Sequence, residues 1–567
     1  MKPSFMKKNV SYATIGIVNN KKIFTPALTA SLLIVLATVF LFSCKKSSEE
    51  VRVPEPSYHL NVSAASVQSP AAGGNNTAIA IDANADWKIT VPPGADWMEL
   101  DKLSGTGNDS IHVKVNSINN TGAKRSITFT VALVNGKVAF KQVSVEQDFS
   151  VTSPLSIDWK KVLGGNGNDY GYSIIKAADG GYLLSGRTTS NNGDITSTRG
   201  GIDMWVVKLD EAGTMSWQKT YGGNADEYSV AAASTPDGGY VLTGFTLSDN
   251  NGDVGPNHGS TDFWVVKINA AGALQWQRTL GGTGDDRPFA VTVTSEGKIA
   301  VAGFTQSNNN GDVGANHGGQ DIWLAILDNN NGNLIGTKTI GGNGDETAKA
   351  LVPAPDGGLY IGATTTSNNN GDAGASKGGS DFWVLQLDRN LSIVWKNSYG
   401  GTNLEELNTL AAGPGNTLIA AGSTKSNGTG DVGTSKGGDD IWVIQLNAAT
   451  GQLNWQKVYG GVNGDAAKGA FARADGTVVL AGFTYNNNNG DVEPNHGAGE
   501  YWVLELNNNG SLARQKTLGG DNEDIAYAIA EGTDGFVVAG ATLSKNSGDV
   551  VGGYGNSDIW VVKMKDE

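Results

Sequence analysis

The sequence predicts an all-β protein in which an immunoglobulin-like β-sandwich is followed by a seven-bladed β-propeller. A unit that begins with a Gly-Gly pair recurs seven times, every 58 to 60 residues. Within each unit, apolar residues alternate with a period of 2 and turn residues separate the apolar runs, as in short antiparallel strands. A repeat of this length is typical of propellers and solenoids. The pairs begin at Gly164, Gly222, Gly281, Gly341, Gly400, Gly460 and Gly519.

One unit is predicted to form four short antiparallel strands, which is the composition of a propeller blade. A tight turn at Pro236–Gly239 joins the first two strands, because glycine tolerates the positive φ of such hairpins. A long polar loop, Asn250 to Asp262, separates the second strand from the third. The predicted strands are Tyr228–Ser234, Tyr240–Leu247, Phe263–Asn269 and Leu274–Leu280.

The two ends of the repeat predict how the ring closes. The last unit stops at its third strand, Trp560–Met564, and an extra strand at 159–163 (Trp159–Leu163) precedes the first unit. We expect this strand to complete the seventh blade, because an open sheet edge invites aggregation. A solenoid would instead need dedicated caps, which the sequence does not show. The propeller therefore spans residues 155–567.

Residues 1–43 resemble a bacterial lipoprotein signal peptide. Five lysines precede the uncharged apolar run Ala27–Phe42. The motif Leu41-Phe42-Ser43-Cys44 overlaps the end of this run. The resemblance implies that Cys44 is lipidated and that residues 44–57 form a tether. The protein would then be held at the outer membrane or cell surface through its lipid alone. An uncleaved anchor is the alternative, although the run is short for a membrane span of about 20 residues.

Charge and cysteine content exclude two classes of function. The net charge is −15, and removing the five lysines of residues 1–43, a segment with no acid, brings it to −20. A protein this acidic is not expected to bind nucleic acid. Cys44 is the one cysteine of the chain. Its lipidation leaves no thiol for a disulfide or for thiolate chemistry.

Residues 58–150 form a separate module without the repeat. Short alternating segments such as Ile111–Val115 predict an immunoglobulin-like sandwich. Several motifs resemble the BACON domain, a module of surface proteins of Bacteroidetes: Asp86-Trp87, Asp96-Trp97, Gly105-Thr106-Gly107, Arg125 and Val143–Gln147. The resemblance implies carbohydrate or mucin binding. Trp87 and Trp97 either stack on a sugar or belong to the core of the sandwich.

The long loops and the Gly-Gly connections are predicted to share one face, because the strands alternate in direction. Function usually resides in such loops. Each loop carries an aspartate that either accepts backbone N–H groups in an Asx-turn or helps to bind calcium, since the loop is rich in oxygen ligands. We expect no other cofactor. These aspartates are Asp194, Asp253, Asp312, Asp372, Asp431, Asp491 and Asp549.

Three further positions repeat in every unit. Nine residues after the loop aspartate comes a second acid, and two residues later a tryptophan whose strand context predicts packing between blades. A third acid opens the first strand, near the propeller axis. Five residues after the loop aspartate stands a hydrogen-bond donor that is either a solvated loop tip or a ligand contact, without the spacing of a zinc site. These donors are Arg199, His258, His317, Lys377, Lys436, His496 and Tyr554.

The turn Leu446–Trp455 resembles the blade-docking motif of quinoprotein dehydrogenases and of a propeller lipoprotein that helps assemble outer-membrane barrels. Seven units and the lack of a spare cysteine argue against a quinone cofactor. Irregular stretches such as Leu404–Glu406 do not assemble into recognisable chemistry. The sequence therefore favours a non-catalytic surface module that binds glycan or a protein partner. The alternatives are a structural subunit of an outer-membrane or polysaccharide-handling complex and a carbohydrate-active enzyme.

Overall fold

The computed structural model describes residues 57–69, 76–95, 97–115, 125–134, 139–147 and 155–566. These residues form β-strands and no helix, so the described part of the chain is all-β, as predicted. It accordingly contains no helix with the length and apolarity to cross a membrane. The predicted signal peptide, Cys44 and the tether up to residue 56 lie outside the described residues.

The N-terminal module consists of two sheets that share one apolar core. One sheet has the strand order β1-β3-β7-β5 and the other β2-β9-β8-β4-β6. All described neighbours are antiparallel except β2 and β9, which run parallel. The strands are β1 (Leu60–Val62), β2 (Ser66–Ser69), β3 (Asn76–Ala83), β4 (Asp86–Thr90), β5 (Met98–Leu100), β6 (Ser104–Thr106), β7 (Asp109–Val115), β8 (Arg125–Leu133) and β9 (Phe140–Gln147).

Both tryptophans considered for sugar stacking lie in this core. Trp87 is 0% exposed, and its indole N–H donates to the Gly107 carbonyl at 3.1 Å. A Cβ on Gly105 would lie 2.3 Å from the Trp87 ring, so only glycine lets β6 approach it. Trp97 is 7% exposed, and the Arg125 guanidinium covers its ring at 4.7 Å. Neither indole offers an open ring face to a sugar, and their burial favours the core role.

Residues 155–566 form seven four-stranded antiparallel sheets. Six sheets each use four consecutive strands, and in the seventh the first strand of this part of the chain joins the last three. The strands of the first three sheets, with β10, are β10 (Ser156–Leu163), β11 (Asp169–Lys176), β12 (Tyr182–Thr188), β13 (Asp203–Leu209), β14 (Met215–Tyr221), β15 (Glu227–Ser234), β16 (Tyr240–Thr246), β17 (Asp262–Ile268), β18 (Leu274–Leu280), β19 (Asp286–Val293), β20 (Ile299–Thr305), β21 (Asp321–Leu327) and β22 (Leu334–Ile340).

The remaining strands repeat the same pattern to the end of the described chain. The strand predicted at Trp159–Leu163 lies within β10, and β10 pairs antiparallel with the last strand, Leu163 opposite Ile559. The strands are β23 (Glu346–Pro353), β24 (Leu359–Thr365), β25 (Asp381–Leu387), β26 (Ile393–Tyr399), β27 (Glu405–Gly413), β28 (Thr417–Thr424), β29 (Asp440–Asn447), β30 (Leu453–Tyr459), β31 (Asp465–Ala472), β32 (Val478–Thr484), β33 (Glu500–Leu506), β34 (Leu512–Leu518), β35 (Asp524–Glu531), β36 (Gly535–Thr542) and β37 (Asp558–Lys565).

The repeated tryptophan of each third strand packs between neighbouring sheets, as predicted. Trp264 lies in one apolar cluster with Leu183 and Val206 of the preceding sheet. Trp205 of the first sheet lies in one cluster with Val537 and Ile559 of the last sheet. All seven of these rings are fully buried. Removing 150–250 Å² of each indole from water stabilises the fold by about 4–6 kcal/mol per ring.

Each first strand carries a β-bulge at its fourth residue. In β15, Ser229 faces Gly244 and Ala231 faces Thr243, so Val230 between them has no partner. A bulge locally twists a strand and re-aims the side chain of the extra residue. The seven residues left unpaired in this way are Tyr172, Val230, Phe289, Lys349, Asn408, Lys468 and Tyr527.

Candidate functional site

The first strands of all seven sheets line one cavity of 510 Å³. Each strand contributes its unpaired bulge residue to the lining. A volume of about 300–1,000 Å³ is usual for sites that hold small molecules. We call this space the central cavity.

The central cavity has one cationic wall, formed by three consecutive sheets. Lys349, Asn408 and Lys468 are the bulge residues of β23, β27 and β31. The Asn408 side-chain amide donates to the Ala467 carbonyl at 3.1 Å, and this hydrogen bond fixes the side chain. The strand of Asn408, β27, comes between the strands of the two lysines in chain order. The Lys349 ammonium lies 4.0 Å from the centre of the Phe289 ring.

The two lysines have little compensating negative charge. Burial lowers the pKa of both, and Glu406 opposes that shift. Lys468 further lowers the pKa of Lys349 because the two cations repel each other. Lys349 Nζ lies 4.0 Å from Glu406 Oε1, whose side chain is 54% exposed. Lys468 has no ion-pair partner among the described residues, and its ammonium lies 5.8 Å from the centre of the Phe483 ring.

The rest of the lining combines five aromatic rings with aliphatic and small side chains. Tyr172 and Tyr527 meet edge to face with ring centres 5.1 Å apart. Tyr228 stacks on Phe245 at 4.4 Å, and the Arg187 guanidinium lies 4.8 Å above the Tyr228 ring. Burial raises the pKa of Tyr172 to about 12 and raises that of Tyr527 further. Tyr172 and Tyr527 are therefore neutral at physiological pH and present hydroxyl groups beside apolar rings.

The sequence predicts that the first strands lie nearest the axis, but it does not single out these bulge residues. The predicted sites occupy positions that repeat, whereas the bulge position changes from unit to unit: Tyr172, Val230 and Lys349 share no chemistry. A signal was present, because the acid three residues earlier is constant in every copy while the bulge residue varies. Variation confined to one position of a repeat marks the place where the copies are not equivalent.

The predicted acid rings are buried hydrogen-bond acceptors at the junctions between sheets. At the junction of the first two sheets, Asp203 Oδ2 accepts the Arg199 N–H at 2.7 Å. Glu227 Oε2 accepts the Gly223 N–H at 2.6 Å, and its Oε1 accepts the Thr246 hydroxyl at 2.7 Å. Burial raises the pKa of Asp203. The acids that open the first strands are Asp169, Glu227, Asp286, Glu346, Glu405, Asp465 and Asp524, all fully buried.

The first glycine of each pair lies between the two acids of its junction. A Cβ on Gly222 would lie 2.1 Å from Asp203 Oδ1 and 2.8 Å from Glu227 Oε2. The corresponding Cβ on Gly164 would lie 2.2 Å from Asp558 Oδ1 and 2.8 Å from Asp169 Oδ2. No residue with a side chain fits there, which explains why every unit begins with glycine.

The loop aspartates considered for calcium hold their loops to the Gly-Gly connections. Asp194 Oδ2 accepts the Gly164 N–H at 3.0 Å, and the Asp194 N–H donates to the Gly164 carbonyl at 2.9 Å. The same pair of bonds joins the other six aspartates to their glycines. Within the described residues, no group of three or more His, Cys, Asp or Glu side chains is placed to hold a metal ion. The calcium alternative stays a prediction.

The predicted ring of donors on the loops does not converge on one point. Each member instead lies beside a carboxylate of its own or the next loop. Arg199, Lys377 and Lys436 pair with the loop aspartate of the following sheet. His258 Nδ1 lies 2.9 Å from the buried Asp262, and His317 and His496 lie beside the equivalent acids. Asp194 raises the pKa of Tyr554.

No known family profile matches the chain. It is similar to the regulatory protein FlaEY of Caulobacter vibrioides, with 25% identity, and the match covers 54% of this chain and 40% of that protein. The chain thus spans two-fifths of the length of this curated relative. Among solved structures it is similar to a GH5 xyloglucanase of Bacteroides ovatus in complex with a heptasaccharide, with 19% identity over 22% of this chain and 30% of that chain and a TM-score of 0.15.

A second solved structure is a quinohemoprotein alcohol dehydrogenase of Pseudomonas putida HK5. It is 11% identical and covers 72% of this chain and 76% of that chain, with a TM-score of 0.36. Likenesses at these identities and TM-scores assign neither a family nor a ligand. The central cavity and the loop face are therefore interpreted from their own residues.

Proposed function

We propose that the chain is a lipid-anchored surface protein whose seven-bladed propeller binds a small ligand, without catalysis, in the central cavity. The observation that carries this proposal is the lining of the cavity. It combines two lysines, an asparagine and several aromatic rings, and it includes no histidine, cysteine or carboxylate from the part of the chain that the structure describes. Such a set orients a ligand through convergent polar groups on apolar walls. Histidine, the commonest general acid or base, and the carboxylates are missing from the described lining, while its lysines and tyrosines belong to types that serve this role less often.

Closure of the seven sheets into a ring is part of the proposal. Pairing of β10 with β37 supports it, because this pairing joins the first and last strands of the repeat. The Asp169 N–H donates to the Ser557 carbonyl at 2.8 Å, the bond that Glu227 makes with Ile202 one junction later. The shared cavity also supports a ring, since all seven first strands contribute to it.

We further propose that residues 58–150 form an immunoglobulin-like sandwich of the BACON type, followed by the propeller at 155–567. Two sheets on one core support the sandwich. The lipoprotein signal and Cys44 place the protein on the outer membrane or cell surface in this proposal. Glycan is the preferred ligand, and a protein partner or a structural role in a larger complex is the alternative.

A glycan screen tests this function and separates the central cavity from the loop face. The protein carries Cys44→Ser in place of the lipid site. We expect binding to an array of surface glycans that Tyr172→Ala in the cavity weakens at least about tenfold, which is about 1.4 kcal/mol. We expect Arg199→Ala on the loop face to leave it unchanged. Loss with Arg199→Ala alone, recovery of a stoichiometric protein partner without any glycan, or turnover of a polysaccharide would overturn the proposal.

A further inference from the structure

We propose that the central cavity selects an acidic sugar, a pyranose ring that carries a carboxylate, in preference to a neutral one. This inference rests on the proposed binding function and adds the chemical class of its ligand. The carboxylate would lie against Lys349 and Lys468, and the apolar face of the sugar ring would pack against Tyr172 and Tyr527.

The cationic wall is the first support for this choice. Lys349 is 23% exposed and Lys468 is also partly buried, both within the lining of one cavity. Buried ammonium groups are usually paired with an anion. Here the neighbouring acid is Glu406, which lies at the limit of an ion pair with Lys349 and makes none with Lys468. A bound carboxylate would supply the missing negative charge.

The position of Asn408 adds a second polar contact. Its amide donates to the Ala467 carbonyl, and its side-chain oxygen accepts no hydrogen bond within the described chain. A sugar hydroxyl beside the carboxylate could donate to that oxygen. A carboxylate alone would leave this acceptor unused.

The aromatic wall is the third support. Tyr172, Tyr527 and Tyr228 line the cavity together with Phe289 and Phe245. Aromatic side chains combine a large apolar surface with a polar hydroxyl when they are tyrosines. A sugar ring needs both, because its C–H groups are apolar and its hydroxyls need partners. The volume of 510 Å³ suits a mono- or disaccharide or the end of a longer chain.

Calorimetry with the full chain carrying Cys44→Ser tests the inference. The probes are glucuronate, glucose as the neutral match, acetate as the anion without a ring, and benzoate as the ring carboxylate without hydroxyls. We expect glucuronate to bind at least tenfold more tightly than each of the other three. Equal binding of glucose or of acetate would overturn the inference, and tighter binding of benzoate would show that the ring carboxylate is aromatic instead of a sugar.

Variants locate the binding. Lys349→Met and Lys468→Met each remove one positive charge while keeping most of the length of the side chain. We expect each to weaken glucuronate at least tenfold and to reduce the salt dependence of binding, whereas Lys219→Met, an exposed lysine on β14, leaves it unchanged. Unchanged thermal transitions show that the variants fold. Unchanged glucuronate affinity in the folded double variant K349M/K468M would overturn the assignment.

The outcomes also separate this inference from the proposed function. A neutral glycan could bind with an affinity that Tyr172→Ala abolishes and that Lys349→Met and Lys468→Met leave unchanged. In that case the binding function stands and the acidic-sugar inference is wrong. If no glycan of either kind binds, the glycan-binding function fails, and the acidic-sugar inference fails with it.

Discussion

The backbone N–H of Asp169 donates to the carbonyl of Ser557 at 2.8 Å, which joins the first sheet of the repeat to the last. The same contact recurs at each junction between consecutive sheets, for example from Asp286 to Thr261 at 2.9 Å. The two ends of the repeat therefore meet through the interactions that hold its interior together. Four predictions follow from this construction and from the module before it.

A disulfide between β10 and β37 tests the pairing of the two ends. Ser156 and Lys565 are paired residues, and opposite residues in antiparallel strands lie about 4.5–5.5 Å apart, within the range that a disulfide spans. We expect Ser156→Cys with Lys565→Cys, in a Cys44→Ser background, to cross-link on mild oxidation and to run faster on a non-reducing gel. Ser156→Cys with Lys219→Cys is the control pair and should stay reduced.

The first glycine of a junction should tolerate no side chain. A Cβ on Gly281 would lie 2.3 Å from Asp262 Oδ1, so Gly281→Ala forces a buried carboxylate to move. We expect a loss of about 1–3 kcal/mol in the free energy of unfolding, measured in urea. Gly374→Ala is the control, because its Cβ would meet no atom within 4 Å. An equal urea midpoint for the two variants would contradict the role of the junction glycine.

The buried acids predict a stability that falls as the pH rises. Burial raises the pKa of Asp465 from 3.8 to about 6, against hydrogen bonds from Thr484, Gly461 and Asn486 that lower it. The folded state therefore keeps a proton that the unfolded state loses, and stability decreases between about pH 4 and pH 6. Over this pH range the titration of Asp465 lowers the free energy of unfolding by on the order of 3 kcal/mol.

Asp465→Asn removes this titration and provides the measurement. We expect the free energy of unfolding of this variant to vary less between pH 4 and pH 6 than that of the parent protein. The parent loses stability as the pH rises, so the variant becomes more stable relative to the parent. Ser216→Ala, at an exposed position of β14, is the control, and we expect its pH profile to parallel that of the parent. Parallel profiles for Asp465→Asn and the parent would rule out a proton on Asp465.

The N-terminal module should depend on the close approach of Gly105 to Trp87. Gly105→Ala places a Cβ 2.3 Å from the indole. We expect it to lower the unfolding midpoint of this module by the equivalent of about 1–3 kcal/mol while the repeat unfolds as before. Tryptophan fluorescence and circular dichroism follow the two transitions. Ser126→Ala at an exposed position of β8 is the control, and a shift of the repeat's own transition would contradict this independence.

The strands were predictable because local chemistry determines them. Alternating apolar residues and a glycine turn predict both ends of the strand Leu274–Leu280 as the structure has them. The pattern also predicts that the tryptophan of each third strand packs between sheets, as the structure shows. The sequence leaves two roles open for the loop aspartates, acceptance of backbone N–H groups and calcium binding. In the structure these aspartates hydrogen-bond to Gly164 and its equivalents, a contact that the sequence does not predict because the partners lie 30 residues or more apart. The calcium alternative stays a prediction.

The central cavity was not predictable in the same way. A bulge leaves no mark in an alternating pattern, since Val230 and Ala231 are both small apolar residues that fit a regular strand. In the sequence, Lys349 and Lys468 look like ordinary exposed lysines in the middle of a strand, and only the convergence of seven strands brings them to one cavity. The loop donors presented the opposite case, since Arg199 stood out in the sequence yet is paired with Asp253.

The bulges have a consequence for how such a molecule can change. Each bulge residue stands outside the hydrogen-bonded register of its sheet, while the glycines, acids and tryptophans around it carry the framework. Seven positions facing one space can therefore be exchanged one at a time without disturbing the scaffold. Under the proposed binding function, a single substitution among them would change the preferred ligand of the central cavity, so that ligand preference and structural integrity could evolve separately.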